Sequence, residues 1–198
     1  MSIEALSPLM AAAAGIGLAA AAGFRVFLPL LGASLAVRSE ILEVGESFTW
    51  LGSDAALIFF GVATLTEVLA FFIPWMDNLL DTVASPLAVF AGTILAASVI
   101  PGESEWVRWI AGLFLGGGSA GVVQAATVLA RGVSTGTTGG VGNPVFAAAE
   151  SGMSFTMVLV TLVLPLVAAV LVLMMVFWFV SRFVKVIRGR RQRAAEGQ

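Results

Sequence analysis

Two polar stretches lie between long apolar runs of this chain. The first, IPWMDNLLDTVASP, contains Asp77, Asn78 and Asp81. If DNLLD is helical, the two aspartates are one turn apart on the same face and repel unless a cation, an arginine or a proton relieves them. The stretch is therefore either a cation or proton-accepting site with oxygen ligands, or a solvated helix cap that follows Pro74.

The second stretch, STGTTGGVGNPVFAAAESG, contains Asn143 and Glu150. Its glycines rule out a regular helix through Gly142, and a short helix should resume at Pro144 and run toward Glu150. Such a helix would direct its positive end at a ligand, as discontinuous helices do in transporters, while the glycines supply backbone ligands. The alternative is an outer loop solvated by its serines and threonines.

Arg25 and Glu67 are isolated charges within the first two apolar segments. A charged side chain at the centre of a lipid-facing helix costs about 2.5–3.5 kcal/mol, so such groups face protein or water and pair with each other. We therefore predict that Arg25 and Glu67 are partners. The pair is either a structural salt bridge or a cation or proton site whose carboxylate is oriented by Arg25.

The elements that carry these residues are predicted to be membrane spans. The chain has 198 residues, of which 59% are hydrophobic and 11% charged, and a mean hydropathy of +1.03. Soluble domains are about 45–50% apolar. We expect an all-α, polytopic transmembrane helical bundle of about five spans, with one domain over residues 1–181 and a basic tail over residues 182–198.

Apolar runs and breakers divide the bundle further. Residues 9–37 are one kinked helix or two half-helices, and so cross the membrane once or twice. Residues 39–54 suit an interfacial segment anchored by Trp50. The stretches 74–86 and 132–150 are candidates for broken or re-entrant elements. The remaining spans are predicted at 55–73, at 86–100 with Pro86 in its first turn, at 106–130, and at 154–180 with a bend at Pro165.

Missing residue types limit the chemistry. Cysteine, histidine and tyrosine are absent, so the usual catalytic bases and soft metal ligands are missing. We expect no enzyme activity and no cofactor, and any metal would be an oxygen-preferring ion. We also expect no nucleic-acid partner.

Basic residues set the expected orientation, because six of the ten follow Val180: Arg182, Lys185, Arg188, Arg190, Arg191 and Arg193. The positive-inside bias places this C-terminus in the cytoplasm. Counting back through five crossings then puts both polar stretches on the outer side. A tail of this charge should also bind anionic lipid.

The segments GFRVFLPLLGASLAVR, IPWMDNLLDT and TTGGVGNPV resemble a bacterial membrane family known as domain of unknown function number 4126. The resemblance covers roughly residues 10–180. It implies a compact, multi-pass inner-membrane protein with the two polar motifs as its hallmark. It implies no substrate and no catalytic residue.

Two functions remain open. In the first, the protein is a small transporter or channel for an ion or small solute, with Arg25 as counter-ion and a path lined by Glu67, Asp77, Asn78, Asp81, Asn143 and Glu150. In the second, it is a non-transporting subunit or scaffold whose Gly116–Gly121 face docks a partner helix and whose tail binds anionic lipid. A homo-oligomer suits either function. A polar cavity inside the bundle favours transport, whereas a small-residue stripe that faces lipid favours the scaffold.

Overall fold

The computed structural model describes the backbone of residues 3–70, 76–101 and 104–196, and the side chains of residues 8–70, 82–101, 104–182, 184 and 185. Every element in this described part is a helix, which confirms the all-α prediction. The elements are α1 (Ile3–Phe24), α2 (Phe27–Arg38), a 3₁₀ helix (Glu46–Gly52), α3 (Asp54–Ala70), α4 (Met76–Val99), α5 (Glu105–Ala111), a π-helical segment (Gly112–Gly117), α6 (Gly118–Thr138), α7 (Asn143–Val163) and α8 (Pro165–Glu196).

The number of candidate spans agrees with the prediction of about five. Among the described residues, four stretches are long and apolar enough to cross a membrane: Thr82–Val99, Glu105–Thr138, Asn143–Val163 and Pro165–Arg182. The 3₁₀ helix and α3, bent by 60° at their junction, make a fifth if they are counted as one span. Two further apolar helical stretches, Pro8–Phe24 of α1 and Phe27–Arg38 of α2, have fewer than 18 residues.

Residues 9–37 form two half-helices that fold back on each other. Pro8, near the start of α1, lines the same cleft as the loop that follows α2, and the Gly45 N–H of that loop donates to the Ser98 carbonyl over 2.8 Å. α1 therefore runs into the bundle and α2 returns to the same end. The result is a helical hairpin whose tip, at Arg25 and Val26, is buried inside the bundle. We call the end to which α2 returns the 3₁₀ end, and the opposite end, with the turn Gly139–Gly142, the glycine end.

α1 is the central helix of the bundle, and it packs against α4, α6, α7 and α8. Its run of alanines explains this position, since the residues from Ala19 to Ala22 are fully buried. At Gly23 a Cβ would lie only 2.5 Å from the Ala120 carbonyl oxygen. Small side chains let four helices approach closely, and close packing is the main attraction between helices in lipid.

The prediction that the third helix begins near Pro86 was wrong, because α4 begins at Met76 and contains Pro86 in its interior. Membrane helices tolerate an internal proline when neighbouring groups satisfy the freed carbonyl. The backbone is thus helical through Asp77, Asn78 and Asp81, and it is not re-entrant from Met76 onward. The side chains of these three residues lie outside the described part of the chain.

The second polar stretch is more regular than predicted. α6 continues through Arg131 to Thr138, and only the turn Gly139–Gly142 separates it from α7. Gly139 and Gly140 have φ angles of 64° and 89°, which suit glycine. Near the end of α6, the hydroxyl group of Thr137 donates to the Val133 carbonyl over 2.9 Å, and that of Thr138 donates to the Ser134 carbonyl over 2.8 Å. The predicted helix start near Pro144 is confirmed, but α7 runs on to Val163.

The last predicted span is two helices, because α7 ends at Val163 and Pro165 begins α8. Thr161 of α7 and Ala168 of α8 both contact Gly17, and Val172 joins Ala20 and Phe24 in a buried cluster. α8 therefore runs back toward the glycine end. The basic segment and the second polar stretch lie at the same end of the bundle, so the prediction that they lie on opposite sides was wrong.

Glycines of the π-helical segment and α6 face α4 within the same chain. Gly112, Gly116 and Gly117 are buried, and a Cβ on Gly116 would collide with the backbone of Gly92. This part of the small-residue face is thus occupied inside the bundle.

Candidate functional site

Four charged side chains are buried near the tip of the α1–α2 hairpin. The exposed fractions are 1% for Arg25, 8% for Glu67, 3% for Arg131 and 2% for Glu150. They come from the hairpin tip, α3, α6 and α7. Three of the four were site candidates in the sequence; Arg131 was not, because it was placed in a solvated loop.

Glu150 is the carboxylate at the centre of this group. Arg131 donates from Nε to Glu150 Oε1 over 3.0 Å and from Nη2 to Oε2, so the pair is bidentate. Arg25 Nη2 lies 3.6 Å from the same Oε2. One buried carboxylate therefore bridges two guanidinium groups, which we call the Arg25–Glu150–Arg131 network.

Arg25 also binds the polar face of α7. Its Nη2 donates to the Ala147 carbonyl over 2.6 Å, and its Nε donates to Ser151 Oγ over 3.0 Å. Ala147, Glu150 and Ser151 share one helix face because they are three and four residues apart. One turn further on, Ser154 Oγ donates to the Ala21 carbonyl over 3.0 Å. The hairpin is thus attached to α7 along this face.

Glu67 caps the start of α2, at the break between α1 and α2. Its Oε1 accepts the Val26 N–H over 2.8 Å, and its Oε2 accepts the Phe27 N–H over 3.0 Å. These amides begin α2 and have no acceptor within that helix, and a carboxylate also suits the positive end of the helix dipole.

The predicted partnership of Arg25 and Glu67 is only partly realised. Glu67 accepts the N–H of Val26, the residue that follows Arg25, so both charged groups lie at the hairpin tip. However, the hydrogen bonds of Glu67 described above come from backbone amides, and Arg25 makes an ion pair with Glu150. The cause is the helix break, which creates buried amides that need an acceptor.

A cleft of about 500 Å³ opens between α4, α6 and α7 beside the network. It is lined by Thr82, Ser85, Val128, Arg131, Gly132, Thr135 and Asn143. Asn143 is 8% exposed, and its Nδ2 donates to Thr135 Oγ1 over 3.0 Å. Its Oδ1 has no hydrogen-bond partner among the described residues. Arg131 belongs to both the cleft and the network, so the two form one candidate site.

Backbone amides at the start of α7 do not serve this cleft as predicted. The N–H of Asn143 donates to the Gly140 carbonyl over 3.0 Å, and the N–H groups of Val145 and Phe146 donate to the Gly142 carbonyl. Proline has no N–H to offer at position 144. These three amides are therefore used within the protein, and backbone ligands from the rest of the glycine-rich stretch stay a prediction.

The structure does not test the cation site that was predicted in the first polar stretch. Among the described residues, no group of three or more acidic, histidine or cysteine side chains could hold a metal ion. The side chains of Asp77, Asn78 and Asp81 lie outside that part. An oxygen-preferring cation at Asp77 and Asp81 thus stays a prediction.

Comparison with known proteins gives the family. The family model described as Domain of unknown function (DUF4126) matches residues 12–185. The chain belongs to this family. The DUF4126 match contains the network, the cleft and both polar stretches, and it confirms the resemblance seen in the sequence. No curated protein and no solved structure matches the chain.

Proposed function

We propose that this membrane protein is a small transporter or channel of the bacterial inner membrane, and that it moves a small polar solute past the Arg25–Glu150–Arg131 network. The observation that carries the proposal is the double position of Arg131. This residue lines an open cleft and also binds the buried carboxylate that holds the hairpin tip. A solute in the cleft would thus contact a group that is mechanically linked to the helical hairpin.

The break between α1 and α2 supports the same proposal. It meets α7 at the network through the contacts of Arg25 with Ala147 and Ser151. Transporters commonly build substrate sites from discontinuous helices inside the bundle, where irregular backbone lines a cavity.

The scaffold alternative loses one of its two supports. The buried glycines that were expected to dock a partner helix pack against α4 of the same chain. The basic tail remains, and Arg182 lies 5.7 Å from the centre of the Trp178 ring. Tryptophan favours the membrane interface, so these residues fit a position where the following basic residues meet anionic lipid. We place the C-terminus, and with it the glycine end, in the cytoplasm.

Solute flux into proteoliposomes tests the proposal. The panel contains cations, anions, protons and small neutral solutes, and it compares the wild type with Arg131→Lys, which keeps the charge but loses the bidentate geometry. We expect flux of at least one solute above that of empty liposomes, and a reduction of about tenfold or more in Arg131→Lys, because a charged hydrogen bond is lost. Arg38→Lys is the control, since Arg38 pairs with Asp54 in an exposed position. If proteoliposomes with folded wild-type protein showed no more flux of any solute than empty liposomes, the proposal would be overturned.

A further inference from the structure

The cleft contains one polar atom for which the described protein supplies no partner. Asn143 is more than nine-tenths buried and lines the cleft. Its Nδ2 is used by the bond to Thr135, whereas Oδ1 has no partner among the described residues. Buried carbonyl oxygens are almost always hydrogen-bonded, and one that is left without a donor destabilises the protein. A ligand that fits this cleft should therefore bring a hydrogen-bond donor.

The charge on the described part of the cleft wall disfavours an ionic ligand. Arg131 lines the cleft and its guanidinium group repels cations, and none of the described lining residues carries a carboxylate. The same guanidinium is already bound by both oxygens of Glu150. Its positive charge is therefore matched within the protein, and an anion would have to compete with a buried bidentate partner.

Besides Arg131 and Asn143, the polar side chains among the described lining residues carry hydroxyl groups. Thr82 and Ser85 lie on α4, and Thr135 lies opposite on α6. A hydroxyl group both donates and accepts hydrogen bonds. Partners of this kind suit a solute whose own groups are hydroxyls, while Val128 and Gly132 can contact its carbon atoms.

We propose that the cleft between α4, α6 and α7 binds a small uncharged solute with several hydroxyl groups, of the polyol class, and that this solute is the one transported. The inference rests on the proposed function for its transport step, but binding can be tested separately. A hydroxyl group of the solute donates to Asn143 Oδ1. The volume of about 500 Å³ leaves room for such a solute and for water molecules, each of which takes about 30 Å³ in the liquid.

Glycerol is the probe for the transport test, because its entry swells proteoliposomes and changes their light scattering. Two glycines of α6 provide a matched pair of blocking variants. Gly132 lines the cleft and Gly136, one turn later, does not, and a Cβ at either position meets no described atom within 4 Å. We expect Gly132→Leu to reduce glycerol entry because its side chain fills the cleft. Asn143→Leu should reduce glycerol entry by about tenfold, which corresponds to about one lost hydrogen bond. Gly136→Leu should behave like the wild type.

Binding is measured without flux by cysteine protection, since the natural chain has no cysteine. Ser85→Cys places a thiol in the cleft, and Gly136→Cys places one outside it. We expect glycerol to slow methanethiosulfonate modification at position 85 and not at position 136, whereas sodium chloride of equal osmolarity should slow neither.

The two tests separate the two proposals. Protection without flux would support the polyol site and overturn transport. Ion flux without glycerol entry or protection would overturn the polyol site and leave the transport proposal standing. Equal glycerol entry in Gly132→Leu and Gly136→Leu would overturn the assignment of the solute path to this cleft.

Discussion

Arg131 and Glu150 are 19 residues apart in sequence and form a bidentate pair across the α6–α7 turn. Both side chains are almost fully buried. The same carboxylate lies 3.6 Å from Arg25 Nη2. The ion pair thus joins α6 to α7, the two helices on either side of the glycine-end turn. It also binds the tip of the N-terminal hairpin through Arg25.

Neutralising Glu150 should destabilise the whole bundle. Glu150→Gln leaves two buried guanidinium groups without their shared negative partner, and breaking a buried pair in this way lowers the free energy of unfolding by about 3–5 kcal/mol. Unfolding of the purified protein in detergent, followed by circular dichroism, measures the change. Glu43→Gln alters an exposed carboxylate and should stay within about 0.5 kcal/mol of the wild type. Equal stability of the two variants would contradict the role given to Glu150.

Glu67 should stabilise the protein through the backbone of α2. Glu67→Ala removes the acceptor of the Val26 and Phe27 amides, and each buried amide left without a partner costs about 1–3 kcal/mol. Thr66→Val is the control on the same helix, because Thr66 is exposed and its hydroxyl only bonds back to Val62. Hydrogen exchange at Val26 and Phe27 gives the local readout. Unchanged exchange in Glu67→Ala would show that these amides do not depend on the carboxylate.

Gly116 and Gly118 should respond oppositely to the same added methyl group. A Cβ on Gly116 would collide with the backbone of Gly92, whereas one on Gly118 meets no described atom within 4 Å. Gly116→Ala should therefore destabilise the protein by about 1–3 kcal/mol through overpacking. Gly118→Ala should be neutral or stabilising by about 0.5–1 kcal/mol, since alanine suits a helix better. Thermal unfolding in detergent compares the two, and a similar loss in both would argue against close packing of the π-helical segment on α4.

The reversal between α7 and α8 predicts which positions share a side of the membrane. Single cysteines at Val141 and Lys185 should be labelled from one side by a maleimide that does not cross membranes. Cysteines at Glu43 and Ser104 should be labelled from the other. Intact cells and inside-out vesicles give the two accessibilities. Labelling of Val141→Cys and Lys185→Cys from opposite sides would mean that α7 and α8 form a single crossing.

Sequence patterns predicted the helical class and the approximate number of spans, because apolar runs of this length have few other folds in a membrane. Proline positions were less informative. Pro144 lies in the first turn of α7 and Pro165 begins α8, yet Pro86 lies inside α4. The same residue type is compatible with a helix start and with a helix interior in lipid, so the boundary predicted at Pro144 was confirmed and the one predicted at Pro86 was wrong.

Site residues were predictable where a charge interrupts an apolar run, as at Arg25 and Glu67. Arg131 was missed because the Gly, Ser and Thr residues after it indicated a loop, and α6 extends past them. The choice of partner could not be predicted either. Arg25 pairs with Glu150 because α1 packs on α7. Glu67 binds backbone amides that lack a helical acceptor only because the helix is broken at Val26. Both depend on contacts that are distant in sequence.

The hairpin tip has a consequence for biosynthesis. Arg25 and the Ala147 carbonyl that it binds are 122 residues apart, so the ribosome delivers the guanidinium group to the translocation machinery well before α7 has been synthesised. We expect the nascent N-terminal segment to stay at the level of the lipid headgroups, where the Arg25 guanidinium group remains hydrated. The segment would enter the bilayer only after the later helices have assembled.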